Sequence, residues 1–167
     1  MEVIGISGWS GNGKTTLLEN LIPALIDKGF SVSTLKHAHH KFDVDHPGKD
    51  SFRHREAGAK EVLISSKTRW ALMSENIDDD ELSVTELIEK MSPVDILLIE
   101  GFKKEDFRKI EIIRNDNDTE PLYKSDPTVI AVATDRNDIK TELPLLDLND
   151  VSAIAAFIIM TCGLEDR

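Results

Sequence analysis

An α/β layered fold with a largely parallel sheet is what this chain predicts, on three observations. Short apolar, β-branched runs alternate with stretches of helical periodicity along the chain. The first such run, residues 2–7, leads into Gly8-Trp9-Ser10-Gly11-Asn12-Gly13-Lys14-Thr15, a full match to the phosphate-loop pattern G-x-x-x-x-G-K-[ST]. Thr16-Leu17-Leu18-Glu19-Asn20-Leu21-Ile22 follows, with apolar residues at helical spacing up to a terminating Gly29. Phosphate binding needs strand, glycine-rich turn and helix in that order. The three glycines let the backbone bend until its N–H groups converge on phosphate oxygens, and the helix N-terminus adds the positive end of its dipole.

The remaining elements follow in order. Residues 31–35 alternate as a second strand, and 37–49 read as a polar loop turning at His46-Pro47-Gly48. Asp50 suits the N-cap of a short helix through Ala57, stopped by Gly58. Residues 61–65 and 69–73 are short strands joined by Ser66-Lys67-Thr68, a hairpin expected to make the sheet mixed. The acidic stretch 75–81 reads as a solvated linker, Asp78-Asp79-Asp80 included. Ser83, with Glu86 three residues on, forms a capping box for a helix over 83–91. Residues 95–100 are an apolar strand ending in Glu100 before Gly101, and 109–114 another strand before a polar loop at 115–119. Residues 128–133 form a strand ending at Thr134-Asp135, 145–147 a last short strand, and 150–161 a final helix with an apolar face. The pattern predicts the three-layer fold of P-loop nucleoside triphosphatases, with a mostly parallel, mixed central sheet and one nucleotide-binding domain over 1–167.

Bulk composition narrows the function classes. A chain of 167 residues with 40% hydrophobic and 31% charged residues is large enough for its own core. No apolar run approaches the ~20 residues of a membrane span, and the first residues read as strand and phosphate loop rather than a signal peptide. The lone Cys162 excludes an internal disulfide and a cysteine-based zinc site, so a cytoplasmic location is expected. A net charge of −11 argues against nucleic acid as a partner. Yet Lys36, Lys41, Lys49, Arg53, Arg55 and all five histidines crowd between residues 36 and 55, which suggests a small anionic ligand.

Within the phosphate loop, Gly8, Gly11, Asn12, Gly13 and Thr16 would surround the phosphates. Lys14 would reach the β- and γ-phosphates, and the Thr15 hydroxyl would coordinate Mg²⁺. The second acid of such a site belongs at the end of a buried strand, where Glu100 stands. Being Glu rather than the usual Asp, it reaches the ion either directly or through a metal-bound water. Lys36-His37-Ala38-His39-His40, with Lys49 and Arg53, has three readings. It is a metal site using His37, His39 or His40 with Asp43 or Asp45, an anion or substrate contact, or a solvated polar loop. Asp135 after the strand could accept two hydrogen bonds from guanine N1 and N2, which adenine cannot donate. No intact Asn-Lys-x-Asp guanine motif accompanies it.

The phosphate loop, Lys36-His37-Ala38-His39-His40, Gly48-Lys49-Asp50-Ser51 with Arg53, Ala57-Gly58-Ala59 and Glu100-Gly101-Phe102-Lys103 together resemble the molybdopterin-guanine dinucleotide biosynthesis protein MobB family. The resemblance runs from Val3 to the final helix. Asp50-Ser51-Phe52-Arg53 also resembles, more loosely, the Asp-Thr-x-Arg element of signal-recognition-particle GTPases. The resemblance implies a GTP- and Mg²⁺-binding adaptor for molybdenum cofactor maturation, with slow GTP hydrolysis, homodimers, and a MobA-type nucleotidyltransferase as partner. It implies that Asp50 positions water and that Arg53 stabilises charge. Two other functions fit parts of the pattern. A nickel-delivery GTPase would use the histidines, and a small-molecule kinase would use Arg53 and Arg55 as a lid pair.

Overall fold

A computed structural model describes residues 1–38, 42–76, 81–114 and 120–165. Eight strands are present in this part: β1 (Glu2–Ser7), β2 (Val32–Lys36), β3 (Glu61–Ser65), β4 (Trp70–Ser74), β5 (Ile96–Glu100), β6 (Lys109–Ile113), β7 (Val129–Thr134) and β8 (Leu145–Asp147). The helices are α1 (Lys14–Asp27), α2 (Asp50–Glu56), α3 (Val84–Glu89) and α4 (Val151–Thr161), with a 3₁₀ turn at Leu122–Lys124. The expected loop at 115–119 and residues 77–80 of the acidic stretch 75–81 lie outside the described residues.

The chain forms two compact units, one of Met1–His37 with Ser92–Arg167, the other of Ala38–Met91. The first holds a six-stranded sheet in the order β2-β5-β1-β6-β7-β8, in which every described pairing is parallel. The central strand β5 is a continuous apolar run because both its faces are covered, and Ile96, Leu97, Leu98 and Ile99 are each 0% exposed. On one face Ile4, Ile6, Leu98, Ile110 and Ile112 meet Leu17, Leu21 and Leu25 of α1 and Ile154 and Ile158 of α4. α1 closes at its C-terminus through Gly29 and Phe30, whose N–H groups donate to Ile26 and Leu25 carbonyls. On the other face, Glu111 of β6 accepts the N–H groups of Leu122 and Tyr123 and so fastens the 3₁₀ turn.

The second unit holds α2, α3 and the hairpin of β3 and β4. The α/β fold with a mostly parallel central sheet is as expected, but the hairpin does not make that sheet mixed. β3 and β4 pair antiparallel in a sheet of their own, because each finds its full register in the other. Ser83 and Glu86 form the expected capping box on α3, Ser83 N–H to Glu86 Oε2 at 2.9 Å. Asp50 is not the N-cap of α2. Lys49 takes the extended N-cap backbone and Asp50 is the first helical residue, an acid placed well for the helix dipole.

Candidate functional site

The sheet order reverses at β1, whose chain leaves towards β5 and β2 on one side and β6 to β8 on the other. The crevice beyond the carboxyl ends of these strands is where open parallel sheets bind ligands. The phosphate loop begins there, directly after β1. Gly8 has φ +136°, and a Cβ on it would stand 2.5 Å from the Ile112 carbonyl oxygen, so the loop starts pressed against β6. Asn12, 3% exposed, donates from Nδ2 to the same oxygen at 2.9 Å and ties down the loop's far side. Gly11 and Gly13 take φ of +84° and +85°, a left-handed alternation that turns N–H groups inward. α1 starts at once from Gly13, with no acid in its first turn to oppose an anion.

Lys14 opens α1, and its Nζ donates to the Gly8 and Trp9 carbonyls, both at 3.0 Å. Burial draws its ammonium below the usual 10.5. Glu100 pulls the other way, while Lys103 and Lys36 add to the lowering. Glu100 ends β5 in register with Ile6 of β1 and Lys36 of β2, and Lys36 Nζ stands 3.5 Å from its carboxylate. Lys14 and Lys36 thus face one carboxylate near the loop, with Lys103 close enough for its charge to act on Lys14, an arrangement suited to a polyanion with a counter-ion. Glu100 and the exposed Thr15 hydroxyl offer the hard oxygen donors that Mg²⁺ prefers. Trp9 is gripped from two sides. Its Nε1–H donates to the Glu120 carbonyl at 3.1 Å, and Lys103 Nζ lies 4.1 Å from the ring centroid.

Asp135 leaves the end of β7, where Arg114 Nε donates to its Oδ2 at 3.0 Å. The Arg114 guanidinium reaches back to the loop, with Nη1 3.3 Å from where a Cβ on Gly13 would stand. A cleft of about 470 Å³ opens beside this pair, lined by Arg114, Arg136, Asn137 and Asp138. Arg136 donates from Nε to Asp138 Oδ1 at 2.8 Å, and its guanidinium holds the Asp138 carboxyl below the usual 3.8. Trp9 and Lys103 stand in the sequence only as members of motifs, and Arg114, Arg136 and Asp138 carry no sequence signal of a site. Their meaning depends on which strand ends the sheet order brings together.

The other expected site residues divide between the units. His37 follows β2 in the first unit, donating its N–H to the Glu100 carbonyl at 2.9 Å and stacking on Phe102 at 4.5 Å between centroids. Lys49, Asp50 and Arg53 belong to the second unit, where Arg53 and Asp50 form an exposed pair at 3.9 Å. His39 and His40 lie outside the described residues. Asp43 and Asp45 are held by Arg55, which pairs with them at 2.7 Å and 2.9 Å and with Glu75 at 3.4 Å. Among the described residues, no three His, Cys, Asp or Glu side chains gather as a metal site.

Comparison with known proteins gives one consistent answer. A family model described as "Molybdopterin guanine dinucleotide synthesis protein B" matches residues 3–135. The chain is 44% identical over 162 residues to the molybdopterin-guanine dinucleotide biosynthesis adapter protein of Escherichia coli, covering 95% of this chain and 92% of that one. It is 43% identical over 158 residues to the adapter protein of the same description from Haemophilus influenzae, covering 95% and 88%. The crystal structure of Bacillus subtilis MobB superposes over 100% of both chains with TM-score 0.75 and 26% identity. A MobB homologue from Bacillus stearothermophilus shares the fold, with TM-score 0.72 at 20% identity over 98% of this chain and 99% of that one.

Proposed function

The chain belongs to the molybdopterin guanine dinucleotide synthesis protein B family, and from that premise we propose that it is a GTP-binding adaptor in the making of molybdopterin guanine dinucleotide. Its partner in this reading is a MobA-type nucleotidyltransferase, and it acts in the cytoplasm as a homodimer, with residues 1–167 serving one nucleotide-binding domain. Relatives named as adapter proteins support the role. The single observation that carries nucleotide binding is the phosphate loop itself, with Lys14 folded back onto the Gly8 and Trp9 carbonyls.

In this reading Gly8, Gly11, Asn12 and Gly13 shape the loop, and its N–H groups with those of Lys14, Thr15 and Thr16 receive the phosphates. Lys14 exchanges its two carbonyl partners for β- and γ-phosphate oxygens, stronger charge-assisted bonds. Thr15 and Glu100 hold Mg²⁺, which when bound neutralises phosphate charge. Asp135 reads guanine from the strand end beside the cleft, with Arg114 fixing its carboxylate. Any hydrolysis is slow and comes from positioning. Asp50 as water-positioning acid and Arg53 as charge stabiliser rest on the resemblance to related GTPases alone, and Lys36, His37, His39, His40 and Lys49 serve ligand or partner contact.

The test is formation of molybdopterin guanine dinucleotide by a MobA-type enzyme with and without this protein. Wild-type protein is expected to raise the yield and Lys14→Ala to fail. No effect of the wild type, or an equal effect of the variant, would overturn the adaptor reading.

A further inference from the structure

We propose that Lys103 reads the third phosphate: its ammonium, held here over the Trp9 indole, moves onto the γ-phosphate of a bound nucleoside triphosphate and thereby separates triphosphate from diphosphate. The inference rests on the nucleotide site proposed above and adds to it a residue outside the phosphate-loop pattern.

Position comes first. Glu100-Gly101-Phe102-Lys103 leaves the carboxyl end of β5, the strand paired with β1. The turn that follows is tightly specified. Gly101 has φ +100°, and a Cβ on it would stand 2.7 Å from His37 Cβ. Phe102 has φ +48°, the one positive value at a non-glycine among the described residues, in a region that side chains seldom occupy. The His37 ring stacks on Phe102 at 4.5 Å and 26°, bracing the turn. Its effect is to send Lys103 back over the phosphate loop.

The second observation is convergence on Trp9. Its carbonyl accepts Lys14 Nζ at 3.0 Å, and its ring faces Lys103 Nζ at 4.1 Å, so two ammonium groups meet at one residue of the loop. Lys103 also figures among the charges that lower Lys14. No carboxylate stands within ion-pairing distance of Lys103 among the described residues. Its charge acts on the buried Glu111 carboxyl without pairing with it. A cation in contact with an aromatic face and no paired carboxylate is weakly held, and a phosphate oxygen is the better partner. Lysine suits the transfer because its charge is compact and its stem flexible.

The chain has two tryptophans, and Trp70 is exposed on the hairpin. Trp70→Phe therefore leaves Trp9 as the only indole, a reporter of the Lys103 contact. This protein is titrated with a non-hydrolysable GTP analogue and with GDP, each with Mg²⁺, by fluorescence and calorimetry. The analogue is expected to change Trp9 emission and GDP to leave it nearly unchanged. Lys103→Gln should weaken the analogue by about tenfold, the worth of one charge-assisted bond, while GDP stays within about twofold. Lys103→Arg should keep the preference. Equal losses for both nucleotides, or none, would overturn the role of Lys103 with the nucleotide site intact. Binding of neither nucleotide by the Trp70→Phe protein would overturn the site itself and this inference with it.

Discussion

Lys14 donates to two carbonyls of the loop that carries it, so its ammonium is oriented before any phosphate arrives. Lys14→Ala removes that charge but leaves only carbonyls that water can serve. GTP affinity is expected to fall by at least about 100-fold, with the thermal midpoint within a few degrees of wild type. Calorimetry and a melting curve decide it, and wild-type affinity in a folded variant would sink the phosphate assignment. Asp135 is the parallel case for the base. Asp135→Ala should weaken GTP by about tenfold and leave weak ATP binding within about twofold; equal losses would mean the carboxylate does not read the base. Lys14 and Thr15 are legible in the sequence because one pattern dictates both the turn and the chemistry. Asp135 is legible as an acid at a strand end. Arg114 is not, since an arginine after a strand is ordinary until β7 is known to lie beside β6.

β6 shows what an element hides from a linear reading. It alternates Lys109-Ile110-Glu111-Ile112-Ile113, yet Lys109 and Glu111 are 1% and 0% exposed. Each is satisfied by distant chain: Lys109 by Asp126 at 3.1 Å, and Glu111 by the N–H groups of Leu122 and Tyr123, both at 2.8 Å. Burial pushes the Glu111 carboxyl above its usual 4.5, with those two N–H groups opposing. A carboxyl raised in the folded state favours folding while protonated. Its contribution is therefore present below pH 4.5 and lost as the pH climbs through the raised folded value. Glu111→Gln should flatten that part of the stability curve, checked by urea denaturation at stepped pH. A variant that loses stability with rising pH as steeply as wild type would contradict this. By contrast the capping box at Ser83 was legible because it is written within four consecutive positions. The separate hairpin sheet was not, because pairing partners are a tertiary choice.

The two units differ in how much apolar surface they bury. In 38–91 the buried apolar side chains among described residues are Val62 and Val84, whereas Leu63, Trp70 and Leu72 on the hairpin are exposed by 61%, 66% and 48%. β5 buries four consecutive apolar residues at 0% exposure. Amides of β3 and β4 are thus expected to exchange through openings of lower free energy than those of β1 and β5. Hydrogen exchange that protects the hairpin as strongly as β5 would contradict that. The whole chain carries −11, yet Lys14, Lys36 and Lys103 gather around one crevice. That concentration is what a nucleoside triphosphate requires of an acidic protein. The guanine-nucleotide adaptor reading built on this crevice and on Asp135 is tested by titrating the protein with a non-hydrolysable GTP analogue and with its ATP counterpart, each with Mg²⁺, in a calorimeter. A clear preference for the guanine form is the expected result; equal binding, preference for adenine or no binding would contradict it.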